Sequence, residues 1–224
     1  MSEYIVYDTS PNANYNTSTS SGYKTSDPWD HLPPDEWVQK QVEYCITNSN
    51  IAGESLIPVL QEFNRPLVGC EVGVCLGVTS EAFLKNLPIE KLYAVDPYPA
   101  YLDWNGDVVG ANFSEERQAM MKATAYKQLS PYGEKVDFVY KHSTDFAKEI
   151  NDEHLDFIFI DGDHSYEGCL NDLKAWWPKV KSGGLFAGHD LYFVGVHQAL
   201  QEFFGDRFND LKKGTRDVWY IYKD

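Results

Sequence analysis

Two short apolar runs, residues 155–160 and 185–187, each end in acids and imidazoles. Asp161, Asp163 and His164 follow the first, and His189 and Asp190 follow the second. Carboxylate oxygens and imidazole nitrogens brought together suit two tasks. They can hold a hard or borderline divalent cation, and an imidazole can move a proton near neutral pH. Asp161, His189 and Asp190 are the candidate metal ligands. His164, three residues beyond Asp161, is the candidate general base, with an ordinary pKa of about 6.5. Asp163 offers either a second carboxylate or a cap for the segment that follows, and His189-Asp190 also reads as a hydrogen-bonded structural pair. His31, His142, His154 and His197 read as solvent-facing or locally satisfied.

A second constellation lies upstream. The run 67–72 leads into Glu71-Val72-Gly73-Val74-Cys75-Leu76-Gly77, an E-x-G-x-x-x-G spacing followed by Thr79-Ser80 as a candidate helix cap. Glycines here permit a tight turn and the close approach of a ligand to the backbone. The spacing is not the G-x-G-x-x-G of dinucleotide sites, which argues against a nicotinamide cofactor. Another apolar run ends at Asp96, where a carboxylate can accept both hydroxyl hydrogens of a ribose. A third ends in Lys141-His142-Ser143-Thr144-Asp145, a polar turn suited to an adenine edge.

These positions need a sheet whose strands all present their carboxyl ends to one crevice. Strands expected at 67–72, 91–95, 136–140, 155–160 and 185–187 alternate with helical segments, the pattern of βαβ units. Residues 155–160 have the composition of a strand buried on both faces. Residues 166–180 carry apolar side chains at three- and four-residue spacings, so they read as a helix ended by Pro178 and Gly183-Gly184. Further helices are expected at 35–47, 54–63 and 196–204. Strands near 208–211 and 218–222, flanking Lys213-Gly214, suggest a terminal antiparallel hairpin. The expected architecture is α/β: a Rossmann-like, seven-stranded, mostly parallel sheet with helices on both faces and a C-terminal antiparallel hairpin. Ligands of such sheets collect beyond the strands' carboxyl ends.

Residues 1–28, rich in Ser, Thr, Asn and Tyr, form a polar extension or an arm that packs on this subunit or a partner, a route to a homo-oligomer. Residues 29–65 form a helical cap segment, and 66–224 form the main domain. The aromatic segment 97–104, just after Asp96, reads as a lid over the crevice or as a rigid turn.

From about Pro66 to Asp224 the chain resembles the class I S-adenosylmethionine-dependent methyltransferases. Glu71, Gly73 and Gly77 match the family's first motif, and Asp96 matches its ribose-binding acid. Residues 136–145 look like the adenine-contacting segment of catechol O-methyltransferase, which implies that Ser143 and Thr144 lie near the adenine. Asp161 would also touch the cofactor. The macrocin and mycinamicin sugar O-methyltransferases share an acid at the Asp161 position, a base histidine at the His164 position and an acidic pair at the next strand end. Here that pair is His189-Asp190. A histidine in place of the first acid departs from the family pattern and removes one negative charge from the metal shell, which counts against Mg2+ and makes Mn2+, Fe2+ or Zn2+ more acceptable. The resemblance implies methyl transfer from S-adenosyl-L-methionine to a hydroxyl of a small molecule or sugar, assisted by Mg2+ or Mn2+. It extends to cephalosporin hydroxylase-like proteins, so a reaction other than methyl transfer is one rival. A noncatalytic module that keeps the cofactor pocket and engages a protein partner is another.

The bulk properties agree with an enzyme of small molecules. The chain has 224 residues, 43% hydrophobic and 15% aromatic, enough for a core of its own. A net charge of −15 opposes the phosphate neutralisation that nucleic-acid binding needs, and no Lys/Arg cluster offsets it. No apolar run approaches the roughly 20 residues of a membrane span. Met1-Ser2-Glu3-Tyr4 lacks the basic and apolar segments of a secretory signal, so the expected location is the cytoplasm. Cys45, Cys70, Cys75 and Cys169 lack metal or disulfide spacing and read as reduced packing residues.

Overall fold

β-branched and aromatic runs punctuated by glycine and proline build the sheet that the spacing of the acids requires. The computed structural model describes residues 29, 31–48, 51–98, 101–102, 108–109 and 115–224. The chain divides into units of residues 1–31 and 32–224. The expected arm at 1–28 lies outside the described residues.

In the larger unit the chain runs through α1 (Pro34–Thr47), a 3-10 turn at Ala52–Leu56, α2 (Ile57–Gln61), β1 (Leu67–Val72), α3 (Val78–Asn86) and β2 (Ile89–Val95). A short pair, β3 (Tyr101–Leu102) and β4 (Val108–Val109), precedes α4 (Glu115–Leu129), β5 (Val136–Val139) and α5 (Ser143–Ala147). Then come β6 (Leu155–Ile160), α6 (Tyr166–Trp176), β7 (Val180–Gly188), α7 (Val194–Phe204), β8 (Lys212–Lys213) and β9 (Trp219–Tyr222). The seven-stranded sheet has the order β5-β2-β1-β6-β7-β9-β8. Its first five members are parallel, and β9 runs antiparallel to both β7 and β8. This is a Rossmann-like α/β fold, with a mostly parallel sheet closed by an antiparallel C-terminal pair.

β6 is the centre. All six residues are buried, because β1 and β7 flank its edges and helices cover both faces. Its side chains alternate with the strand period of two. Ile158 and Ile160 join Leu173, Trp176, Leu200 and other residues from α5, α6 and α7 in one core layer. Phe157 and Phe159 face the other way, edge-on to Phe83 of α3 at 5.4 and 6.0 Å between ring centres. Burying this many large apolar side chains, at about 1.5–3 kcal/mol each, fixes the register from which the polar strand ends emerge.

Several boundaries differ from the sequence reading for local reasons. Residues 208–211 are not a strand: Gly205–Asp210 forms a 3-10 helix, and the hairpin partner is the short β8, whose return is closed by the Gly214 N–H donating to the Val218 carbonyl. α6 stops at Trp176, two residues before Pro178, which cannot supply a helical N–H. β7 begins at Val180 and carries Gly183-Gly184 within it, held by the Gly183 N–H donating to Lys223. Thr79 and Ser80 do not cap α3. Gly77, at φ +80°, precedes its first turn. α4 escaped the sequence reading, because its buried face is only Arg117, Met121, Ala125 and Leu129, spaced by four in a polar sequence. Residues 99–100 and 103–104 of the aromatic segment lie outside the described residues.

Candidate active site

Register brings the functional residues together. At the carboxyl edge of the sheet each strand is prolonged by one backbone bond to its neighbour. Gly73 donates to Val95, Asp96 to Val139, Asp161 to Val72 and His189 to Ile160, at 2.8–3.0 Å. The side chains of residues far apart in sequence therefore stand in one row.

Beyond this row lies a cavity of about 510 Å³, within the range of small-molecule sites, with Gly73, Asp96, Ser143, Thr144, Asp161 and His164 in its wall. Gly73 sits at φ +87°, and a Cβ on it would collide with the carbonyl oxygen of Asp161. The glycine is thus required by the approach of β1 to the Asp161 backbone as well as by the turn. Glu71 and Gly77 stand behind the wall. Glu71 is buried and accepts a hydrogen bond from the Ser80 hydroxyl, and burial pushes its carboxyl up to about 8. Gly77 faces α4, where a Cβ would press on Ala125.

Asp96 is held by the turn after β1. Its Oδ2 accepts from the Cys75 N–H at 2.9 Å and its Oδ1 from the Tyr98 N–H at 2.8 Å. The Tyr98 hydroxyl closes the loop on the Cys75 carbonyl at 3.0 Å. Burial raises the Asp96 carboxyl, against these backbone donors. A carboxylate has about four acceptor positions, so each oxygen keeps one for a ligand diol.

The second group is a four-membered cluster. His164 Nε2 lies 2.9 Å from Asp190 Oδ2 and 3.4 Å from Asp161 Oδ1. His189 Nδ1 lies 3.4 Å from both carboxylates. Ligand atoms of Asp161, His164 and Asp190 fall within 4.8 Å of one another, as one cation would require. Asp190 reaches this position from a left-handed backbone, φ +54°, which aspartate tolerates better than most residues. The Trp219 indole N–H donates to the His189 carbonyl at 3.0 Å and pins that corner. Burial opposes protonation of the two imidazoles, yet the hydrogen bonds and charges of Asp161 and Asp190 raise both to about 10. Burial likewise works against Asp161 and Asp190, and the two histidines hold both below the usual carboxylate range. Without a cation, the cluster is two carboxylates sharing two imidazolium groups.

Asp163 stands apart from this cluster. Its Oδ1 accepts from the Ser165 N–H at 2.8 Å, and Ser165 caps α6 by accepting from the Gly168 N–H at 3.1 Å. Asp163 thus braces the turn before α6, and the cap expected of it is supplied by Ser165 instead. His154 is locally satisfied by the Tyr93 hydroxyl at 3.1 Å, and His197 Nδ1 lies 3.1 Å from the Leu191 carbonyl.

Sequence reasoning missed Asp172, Trp176 and Trp219. The signal for Asp172 was present: an acid on the face of α6 that also carries Cys169, Leu173 and Trp176. It is 5% exposed and lines the cavity. The Ser143 hydroxyl donates to its Oδ1 at 2.5 Å and accepts from the Trp176 indole N–H at 2.7 Å. Burial, against that hydrogen bond, pushes the carboxyl up to about 7.

Residues 70–191, more than half of the chain, match the family model described as a methyltransferase domain. An uncharacterised protein, R132, of Acanthamoeba polyphaga mimivirus is 23% identical over 124 residues, which cover 54% of this chain. The matched stretch spans about half, 49%, of that curated relative's length. Among solved structures, the calicheamicin methyltransferase CalS11 superposes with a TM-score of 0.59 at 14% identity, covering 88% of this chain and 87% of its own. The O-methyltransferase NovP does so with a TM-score of 0.57 at 14% identity, covering 85% and 99%.

Proposed function

The chain belongs to the methyltransferase domain family, and on that premise we propose that it transfers a methyl group from S-adenosylmethionine to a hydroxyl of a small molecule or sugar, with a divalent cation at the Asp161/Asp190 cluster. The observation that carries this reading is the adjacency of that cluster to the cavity, with Asp161 and His164 belonging to both. The residues present fit the cofactor. Asp96 has acceptor positions to spare for a ribose diol, and the volume of about 510 Å³ suits a nucleoside with an amino-acid arm.

The donor set also fits a cation. Two carboxylates and one imidazole are harder than a thiolate site and softer than an all-oxygen one, which favours Mn2+, Fe2+ or Zn2+ over Mg2+. A bound divalent cation supplies positive charge that lowers the pKa of an acceptor hydroxyl beside it. His164 faces the cavity and His189 does not, so His164 is the group able to take the acceptor's proton at Nε2 while His189 completes the cation site with Asp161 and Asp190. Sulfonium methyl transfer needs little further activation, so the rest of the site's task is alignment.

Calorimetric titration of S-adenosylhomocysteine into the protein, in chelator and again with Mn2+, tests the reading. Binding at micromolar concentration, with a separate saturable heat for Mn2+, is the expected result. Failure of the nucleoside to bind under either condition would overturn it. Turnover is then read with methyl-labelled S-adenosylmethionine against a panel of phenols and nucleotide sugars.

A further inference from the structure

We propose that Asp172 reads the base of the cofactor, accepting a hydrogen bond from the exocyclic amine of adenine, and that Ser143 and Trp176 are its positioning residues. The inference rests on the S-adenosylmethionine reading above and adds the residue that makes the site specific for a 6-amino purine.

The hydrogen-bond directions fix the roles. An indole N–H only donates, so Ser143 Oγ must accept from Trp176. The single proton of that hydroxyl is then committed to Asp172 Oδ1. Ser143 has no donor left for a ligand. Asp172 Oδ2 lies on the side of Gly162, 3.7 Å from where a Gly162 Cβ would stand, and both residues line the cavity. Thr144 next to Ser143 is only half-buried, while His142 and Asn171 are exposed. Asp172 is therefore the fixed, buried acceptor in this part of the wall.

A buried carboxylate needs more than one hydroxyl donor to compensate the loss of water. No cationic side chain pairs with Asp172 among the described residues, and its charged neighbour Asp163 makes matters worse. A ligand amine supplies the missing donor. The position also agrees with the row of strand ends: Asp96 follows β2, Ser143 follows β5 beside it, and α6 packs against α5. A nucleoside whose ribose meets Asp96 has Ser143 and Asp172 within the same cavity as its base.

The test compares S-adenosylhomocysteine with S-inosylhomocysteine, which carries a carbonyl oxygen in place of the amine, by calorimetry on the full-length protein. At a pH above the raised Asp172 value of about 7, the ionised carboxylate facing the base repels the oxygen, so the wild type is expected to prefer the adenosyl compound by roughly ten- to a hundredfold. Asp172→Asn keeps the shape. Because Ser143 still donates to the amide oxygen, the amide NH2 takes the place of Oδ2, and the preference should collapse or reverse toward the inosyl compound. A wild type that binds both equally overturns the proposal without reference to any variant. So does a folded Asp172→Asn protein, judged by its unfolding midpoint, that keeps the wild-type ratio. If the wild type binds neither compound, the cofactor reading itself fails and this inference with it; binding of the adenosyl compound with an unchanged ratio in the variant defeats the Asp172 assignment alone.

Discussion

His164 and Asp190 stand on two different strand ends, yet Nε2 of the first lies 2.9 Å from Oδ2 of the second. The contact exists because β6 and β7 are parallel neighbours with Ile160 opposite Gly188. The segments after both strands then rise from the same edge. An imidazole and a carboxylate from two different strand ends are thus coupled by the sheet register itself.

That coupling separates two roles for His164. As a general base it would contribute roughly 10²- to 10⁴-fold to the rate. His164→Ala is then expected to lose turnover by that factor while Mn2+ and S-adenosylhomocysteine affinities stay close to wild type. Asp190→Asn should instead weaken Mn2+ by roughly ten- to a hundredfold or more. Parallel calorimetry and turnover assays check both variants. Loss of Mn2+ binding in His164→Ala would move this residue from base to ligand.

The same cluster sets a pH dependence. Both histidines are raised to about 10 from 6.5 by Asp161 and Asp190, against burial. A raised folded pKa gives stability that is complete below the unfolded value and lost as pH climbs through the folded one. Metal-free protein should therefore show a falling thermal midpoint between about pH 6.5 and 10. A cation requires the neutral imidazole, so its affinity should grow over the same window and protons should be released on binding. Thermal scans in chelator and in Mn2+ at pH 7 and pH 9 measure this. A midpoint in chelator that rises from pH 7 to pH 9 would contradict the cluster's electrostatics.

How much of this was legible in the sequence follows from the range of each interaction. β1 and β6 were readable to the residue, because a buried strand is a short apolar run with a polar stop at its end. The row of Gly73, Asp96, Asp161 and His189 was readable for the same reason: strand ends of a parallel sheet share an edge. α4 was not, since a helix that buries mainly Met121, Ala125 and Leu129 leaves little periodic signal. The 3-10 helix at Gly205–Asp210 replaced an expected strand because Phe208 and Leu211 pack against the core layer from outside the sheet. Asp172 could be noticed on its helix face, but its bond to Ser143 depends on α5 and α6 meeting, which no local pattern encodes.

Gly73 joins a backbone requirement to the cavity. At φ +87° a non-glycine residue carries about 1–3 kcal/mol of strain, and the collision of a Cβ with the Asp161 carbonyl adds to it. Gly73→Ala should lower stability by at least that amount and displace Asp161, weakening both S-adenosylhomocysteine and Mn2+. A urea midpoint and the two titrations measure the effects. Wild-type stability and affinity in this variant would remove the steric argument.

The opposite end of β6 offers a control in which stability and function part. Asp156 is 1% exposed, accepts from the Val68 N–H at 2.7 Å, and pairs with Arg65 at 2.8 Å and Lys181 at 2.7 Å. Burial raises its carboxyl, but Lys181, the Val68 N–H and Arg65 together hold it below the usual range. Stability from this group is therefore present above about pH 4 and lost only as pH falls further. Because both cations are partly exposed, solvent screens the pairs, and Asp156→Asn should cost about 1–3 kcal/mol at pH 7. The strand length between Asp156 and Asp161 keeps the change away from the cavity, so S-adenosylhomocysteine affinity, measured well below the unfolding temperature, should stay at the wild-type value. Loss of affinity in a variant whose urea midpoint is unchanged would mean that the two ends of β6 are not independent.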